Sequence, residues 1–326
     1  MKFRTLGRTG VQVSQLCFGT MSFGGDADEA SSAAMYRACR EIGINFYDTA
    51  NQYSNGRSEQ ILGDLIQGHR EELVLATKCF NPTGPDVNAR GLSRRHITRA
   101  LEDSLKRLKT DRVEVYYLHQ PDPATPLEES LRALEDLVRA GKILYPAISN
   151  HAAWQTQQAL DIQKAHGWAG LQVAQPMYSL VKRQAEVEIL PMAQANGLSV
   201  VPYSPAGGGL LSGKYAQKDK PATGRLAANS RCRDRYGEAW VHETAASFSA
   251  FCAKRGVHPV SMAVAWVAGH PAVTTPIIGA RNVEQLQASL DSIKIDMTQA
   301  LRAEISALSR TPPPATDRLE EALPHK

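Results

Sequence analysis

The stretch Ile44-Asn45-Phe46-Tyr47-Asp48 and, further along, Val113-Glu114-Val115-Tyr116-Tyr117-Leu118-His119 follow one pattern: a short, mostly apolar run stops at a group that can carry charge or a proton. Runs this short and rich in β-branched and aromatic residues suit buried strands better than helices. The pattern recurs along the chain. Leu73 to Thr77 stops at Lys78, Ile143 to Ile148 at Ser149 and Asn150, Leu171 to Ala174 at Gln175, Leu198 to Pro202 at Tyr203 and Ser204, and Thr275 to Ile278 at Gly279. With Gln15 to Phe18 at the start, the sequence holds eight such runs.

Amphipathic stretches separate the runs. From Ser93 to Leu108, Ile97, Leu101, Leu105 and Leu108 recur at three- and four-residue steps, and Leu127, Leu131, Leu134, Leu137 and Val138 do the same between Pro126 and Ala140. That periodicity predicts helices, with Ser93 and Thr125 as N-caps, the latter just before a proline suited to a first helical turn. Alternating strands and helices imply a parallel sheet. In a (β/α)8 barrel the carboxyl ends of all strands meet on one face, so the polar groups that end these runs would converge there; a doubly wound sheet would spread them along an edge. The fold expected is therefore a (β/α)8 TIM barrel with long loops at its C-terminal face, preceded by a β-hairpin from Phe3 to Val13 that closes the bottom. One domain over residues 1–326 is expected, with a tail from about residue 309 that begins at Thr311 to Ala315 and its three prolines.

Composition narrows the function. Apolar residues make up 43% and charged residues 21% of 326 residues, an ordinary globular balance. The net charge of +4 is dispersed, without a basic block interleaved with aromatics, so no nucleic-acid partner is expected. No basic leader precedes an apolar run near Met1, and no 18 consecutive apolar residues occur, so neither a membrane nor export is expected. Five cysteines without CxxC spacing suggest a reducing compartment, and a cytoplasmic location is expected.

The segment Asn45 to Tyr53, followed by Gly56, Ser58, Glu59 and Gly63, resembles the signature of the aldo-keto reductase superfamily. Ala76-Thr77-Lys78, Tyr117-Leu118-His119, Ile148-Ser149-Asn150, Pro202-Tyr203-Ser204-Pro205 and Ile277-Ile278-Gly279-Ala280-Arg281-Asn282 follow in the order that family shows, covering nearly the whole chain. The resemblance implies carbonyl reduction with a nicotinamide cofactor and a catalytic group of Asp48, Tyr53, Lys78 and His119. The chemistry agrees. Adding hydride to a carbonyl creates an alkoxide, so a proton must arrive as charge develops. A tyrosine can supply it if a cation favours its phenolate, and Lys78 is that cation; a buried lysine in turn needs an anion, which Asp48 provides. His119 is expected to orient the carbonyl oxygen by a hydrogen bond, with a share in proton transfer at lower pH.

The resemblance also implies the cofactor contacts. Ser149, Asn150 and Gln175 would hold the nicotinamide carboxamide, Tyr203 would stack on its ring, and Thr20, Met21 and Asp48 would lie near its ribose. Ser204, Pro205, Gly207, Leu210, Gly213 and Lys214 are further expected cofactor contacts, the flexible glycines suiting close backbone approach to the pyrophosphate; Gly279, Arg281 and Gln285 would take the adenosine phosphate. NADPH is expected ahead of NADH because Arg281 suits a 2′-phosphate and no carboxylate lies between Gly279 and Val283. Ala288 and Ser289 stand where many relatives carry an acidic residue and an asparagine near the adenine. Gly208 to Lys214 fits GxxxxGK, but Tyr215 replaces the magnesium-binding Ser or Thr of a phosphate loop, and no GxGxxG is present. Arg225, Arg231, Arg233 and Arg235 read as a solvated loop face, or else as a clamp over the cofactor. Two other functions are weighed: a nicotinamide-binding regulatory subunit that senses redox state on the same fold, and a metal-dependent barrel hydrolase. The second needs an HxH cluster that the nine histidines do not form, so no metal is expected.

Overall fold

The computed structural model describes residues 1–215 and 230–322, leaving out the side chains of Arg231, Glu321 and Ala322. Strands β1 (Phe3–Thr5) and β2 (Gln12–Ser14) pair antiparallel as the expected hairpin, whose turn contains Gly7 at φ +53° and Gly10 at φ +79°. Eight strands follow in one parallel sheet: β3 (Cys17–Gly19), β4 (Phe46–Asp48), β5 (Val74–Cys79), β6 (Val113–Leu118), β7 (Ile143–Ser149), β8 (Val173–Gln175), β9 (Ser199–Val200) and β10 (Ile277–Ile278). Their spatial order is β10-β3-β4-β5-β6-β7-β8-β9. The two outer strands meet as well: Val200 bridges Val273 in parallel, and the Ile277 amide donates to the Pro202 carbonyl at 2.9 Å. The sheet thus curls on itself as a (β/α)8 barrel.

Strand parity decides what the barrel contains. Successive side chains on a strand point to opposite faces. Phe46, Val74, Ala76, Val115, Tyr117, Ala147, Val173 and Val201 share one buried inner cluster with Leu6 and Val13 of the hairpin, which plug the amino-terminal end. Tyr47, Leu75, Tyr116, Leu118, Ile148, Ala174 and Val200 belong to the outer layer, packed against the helices. Stepping two residues along from the inner set leads to Asp48, Lys78, His119, Ser149, Gln175 and Tyr203. The same alternation that fills the core therefore turns these groups inward at the carboxyl mouth.

Helix Arg94–Leu108 starts as expected, the Ser93 hydroxyl accepting from the His96 amide at 3.3 Å. The other cap differs. Pro126 itself is the N-cap of helix Leu127–Arg139, and the Thr125 hydroxyl donates to Asp122 Oδ2 at 2.9 Å, a carboxylate that also accepts from the Leu92 amide. The loop captures Thr125 before the helix can use it. Strand limits shift by a few residues from those read in the sequence, most at β9 and β10, where only two residues each form regular ladder. Past Ser309 the chain is irregular until a short 3₁₀ turn at Leu319–Ala322.

Glycines in the family-like segment have packing roles. A Cβ on Gly63 would lie 2.4 Å from the Arg107 carbonyl oxygen, so its absence lets helix Arg57–Leu65 close on helix Arg94–Leu108. Glu59, fully buried beside it, accepts from Thr77 Oγ1 at 2.5 Å and Arg107 Nε at 2.7 Å. That ties the helix after Tyr53 to the strand that carries Lys78.

Candidate active site

At the mouth, Lys78 has no solvent exposure and uses all three of its ammonium donors. One pairs with Asp48 Oδ1, one reaches the Thr49 carbonyl at 2.7 Å, and one lies 3.4 Å from the Tyr53 hydroxyl oxygen. Asp48 is completed by Gln175, whose Nε2 donates to Oδ2 at 2.9 Å from the far side of the barrel. Burial alone would lower the lysine pKa, but the Asp48 charge and the contacts to Asp48 and Tyr53 outweigh it and raise the pKa above its ordinary value. The lysine therefore stays an ammonium at neutral pH.

Tyr53 reaches this cation because of an unusual turn. Ser54 (φ +48°), Asn55 (φ +52°) and Gly56 (φ +87°) are successively left-handed, which swings the chain from the end of β4 into helix Arg57–Leu65. Two non-glycine residues in that region are costly and persist only where surrounding contacts enforce them. Thr20, Thr49 and Ser58 supply such contacts: Ser58 Oγ lies 2.8 Å from Thr20 Oγ1 and 3.1 Å from Thr49 Oγ1, all buried.

The His119 ring stands edge-on to Tyr53, with centroids 6.2 Å apart. Burial, and secondly the Lys78 charge, push its pKa down to about 3, so the imidazole is neutral at physiological pH. Its buried Nδ1 has no hydrogen-bond partner among the described residues. A neutral ring suits the expected hydrogen bond to a carbonyl oxygen; a share in proton transfer at mildly acid pH does not follow from it.

Above these groups lies a cavity of about 700 Å³, well within the range of small-molecule sites. Its wall includes Met21, Asp48, Tyr53, His119, Ser149, Asn150, Gln175, Tyr203, Ser204, Pro205, Gly279 and Arg281. Asn150, left-handed at φ +62°, donates to the His119 carbonyl at 2.9 Å and to Ser149 Oγ at 3.0 Å, while its Oδ1 accepts from Tyr203 OH at 2.7 Å. Ser149 Oγ donates to the Gln175 carbonyl at 2.9 Å. The polar wall is thus braced from within before anything binds.

Other expected residues lie elsewhere. Thr20 is buried behind the wall, bonded to the Asp48 carbonyl at 3.2 Å. Gly207 and Leu210 are buried in the 3₁₀ segment Gly207–Ser212, and it is Gly208 and Gly209 that line the cavity. Gly213 and Lys214 stand outside the wall, with Lys214 Nζ 5.0 Å from the Tyr215 ring. Gln285 is also outside it, its Oε1 accepting from the Arg281 amide at 3.4 Å. Arg235, half-buried, lines the cavity; Arg225 and the Arg231 side chain lie outside the described residues. Ser289 also lines it, at one of the two positions where the sequence departs from the family pattern.

The structure adds wall residues that the sequence reading did not single out: Asp26, Gln52, Asn81, Gln120, Cys232 and Tyr236. Asp26 Oδ2 lies 3.3 Å from Arg281 Nε, joining the loop after β3 to the chain after β10. Among the described residues no three His, Cys, Asp or Glu side chains group as metal ligands, and no helix is long and apolar enough to cross a membrane.

A barrel with a lysine–aspartate pair sealed beneath a tyrosine, at the mouth of a cavity this size, has the makings of an oxidoreductase site. Comparison with known proteins agrees. The model of the Aldo/keto reductase family matches residues 15–310. An uncharacterized oxidoreductase, YrpG, of Bacillus subtilis is 40% identical over 92% of this chain and 94% of its own length. A probable voltage-gated potassium channel subunit beta of Oryza sativa is 34% identical over 97% and 99%, and Protein tas of Escherichia coli 31% over 94% and 97%. The chain belongs to the aldo/keto reductase family.

Proposed function

We propose that this protein reduces an aldehyde or ketone to the alcohol with NADPH, with Tyr53 as general acid and Lys78, Asp48 and His119 supporting it. The observation that carries the reading is the fully bonded, buried ammonium of Lys78 at 3.4 Å from the Tyr53 hydroxyl. A structural lysine has no need of a phenol as its third partner.

The cavity fits a nicotinamide dinucleotide. Its wall offers hydroxyl and amide groups, the aromatic face of Tyr203, left-handed glycines, and the guanidinium groups of Arg281 and Arg235. Ser149, Asn150 and Gln175 would hold the carboxamide, Tyr203 would lie against the ring, and Gly208, Gly209, Gly279 and Arg281 would receive the phosphates. When bound, the reduced nicotinamide supplies the hydride. The Tyr53 hydroxyl gives its proton to the carbonyl oxygen, Lys78 stabilises the phenolate left behind, and neutral His119 holds that oxygen by a hydrogen bond. Asp48 keeps Lys78 charged. One domain over residues 1–326 with a tail from about 309, and a cytoplasmic location, belong to the same proposal, supported by the unbroken match over residues 15–310 and by five free cysteines.

The relative named as a potassium channel subunit supports a second reading, a redox-sensing regulatory subunit on the same fold. The two differ in turnover. The test is to follow NADPH oxidation spectroscopically with a panel of aldehydes and ketones. Multiple turnovers with at least one class support the enzyme, whereas tight cofactor binding without turnover supports the sensor.

A further inference from the structure

Tyr53 and Lys78 stand on different elements, and the 3.4 Å between them is the longest contact that the ammonium makes. Behind them runs a chain of contacts that stands outside the cavity wall. Arg107, near the carboxyl end of helix Arg94–Leu108, donates from Nε to Glu59 Oε2 at 2.7 Å, and Glu59 Oε1 accepts from Thr77 Oγ1 at 2.5 Å. Glu59 is the third residue of the helix that follows Tyr53. Thr77 immediately precedes Lys78 on β5, so its side chain takes the opposite face of the strand. Arg107 also presses on the turn itself: a Cβ on Gly56 would lie 2.9 Å from its Cδ and 3.1 Å from its Nε. The contacts thus run from the turn that carries Tyr53, through Arg107 and Glu59, to the strand that carries Lys78.

Glu59 has no solvent exposure, and Arg107 is 23% exposed. A carboxylate sealed in this way loses its hydration, so its pairing adds little net stability. Geometry is what the pair supplies, because a guanidinium fork and a short hydroxyl contact are both directional. We propose that Arg107, acting through Glu59 and Thr77, is a positioning residue that holds the Tyr53 phenol against the Lys78 ammonium. A contact as long as 3.4 Å weakens quickly with further separation, so a small shift of the turn changes how strongly the ammonium favours the phenolate.

This inference rests on the proposed carbonyl reduction, and the test separates the two. Thr77→Val removes one buried hydroxyl and no charge, so a pH shift in it is not a direct effect of charge on the phenol. The titratable and charged groups that face Tyr53 and Lys78 among the described residues are Asp48, His119, Tyr117, Tyr203 and Cys17, and this variant leaves all of them in place. Single-turnover pH–rate profiles are measured with NADPH and the most reactive aldehyde of the panel. Thr77→Val and Arg107→Gln should each move the basic limb upward by about half a unit to one unit. Each should slow reduction by about 5- to 30-fold, with NADPH affinity kept within about twofold. Arg107→Lys, which keeps a cation beside Glu59, should recover most of the rate. Thr77→Val carries the test alone if Arg107→Gln does not fold. A basic limb at its wild-type place in Thr77→Val, with only the unfolding midpoint lowered, overturns the inference and leaves the reductase reading standing. If the wild type turns over no carbonyl, the reductase reading falls and the phenol is followed directly. The alkaline ultraviolet titration of each protein, less that of its Tyr53→Phe counterpart, reports the Tyr53 phenolate. It should form at higher pH in Thr77→Val than in the wild type, and formation at the same pH overturns the inference.

Discussion

Lys78 meets Asp48 in a pair that solvent does not reach, and the tyrosine hydroxyl 3.4 Å away completes the shell of the ammonium. Removing one partner of such a pair strands the other's charge in the protein interior, which typically costs ~3–5 kcal/mol. Lys78→Met should therefore destabilise the fold by about that amount, abolish most activity, and move the basic limb of the pH–rate profile upward because the phenol loses its cation. Asp48→Asn combined with Lys78→Met should regain most of the stability and none of the activity. Denaturant unfolding of the two single variants and the double variant checks this as a cycle. Additive losses would show that the pair is not coupled.

Arg281 governs cofactor choice in this account. Its guanidinium is 40% exposed and engaged on one side by Asp26, which leaves donors for a 2′-phosphate. Hydrogen bonds to charged groups are worth ~1.5–3 kcal/mol, so Arg281→Ala should weaken NADPH roughly 10- to 150-fold and leave NADH nearly unchanged. Asp26→Asn should act oppositely, tightening NADPH by up to about fivefold, the worth of an exposed ion pair. Dissociation constants for both cofactors decide it; equal losses for NADPH and NADH in Arg281→Ala would remove that residue from the role.

Acid sensitivity follows from two histidines. His119 is held near 3 by burial and then by Lys78, and His270 near 4 by burial and then by Arg302, both below the ordinary value of 6.5. Each binds a proton more readily in the unfolded chain, so the stability it contributes is present above pH ~6.5 and lost as pH falls toward its folded value. Between pH 7 and 5 the buried His119 should cost about 1–2 kcal/mol, and the half-buried His270, screened by solvent, less than that. Thermal denaturation of wild type and of His119→Gln/His270→Gln across that range is the check. The double variant should show a shallower pH dependence, and an unchanged slope would place the acid sensitivity elsewhere.

Much of this site was legible because strand parity is a local property. The run before Lys78 and the run before His119 each announce an inward face, and the barrel does the rest by bringing the strand ends together. Asp26 and Arg281 meet across the mouth although one follows the first barrel strand and the other the last, and neither sits in a periodic pattern that would forecast contact. Gln52, Asn81 and Gln120 lie beyond the strand ends, where alternation no longer says which way a side chain faces. Motif order places Gly207 and Leu210 among the cofactor contacts, but Gly207, Gly208 and Gly209 are successively left-handed, and the turn they make leaves Gly207 and Leu210 buried while Gly208 and Gly209 line the cavity. Thr125 carried a local capping signal that a carboxylate from its own loop overrode.

Delivery of the proton by Tyr53 is tested by replacing its hydroxyl. In single-turnover experiments with saturating NADPH, Tyr53→Phe should reduce the rate of carbonyl reduction by about 10²- to 10⁴-fold, the usual worth of a general acid. Cofactor affinity should stay within about twofold, since the hydroxyl is not among the groups assigned to hold it. A variant that keeps more than about half the wild-type rate, with chemistry shown to limit turnover, would contradict the account.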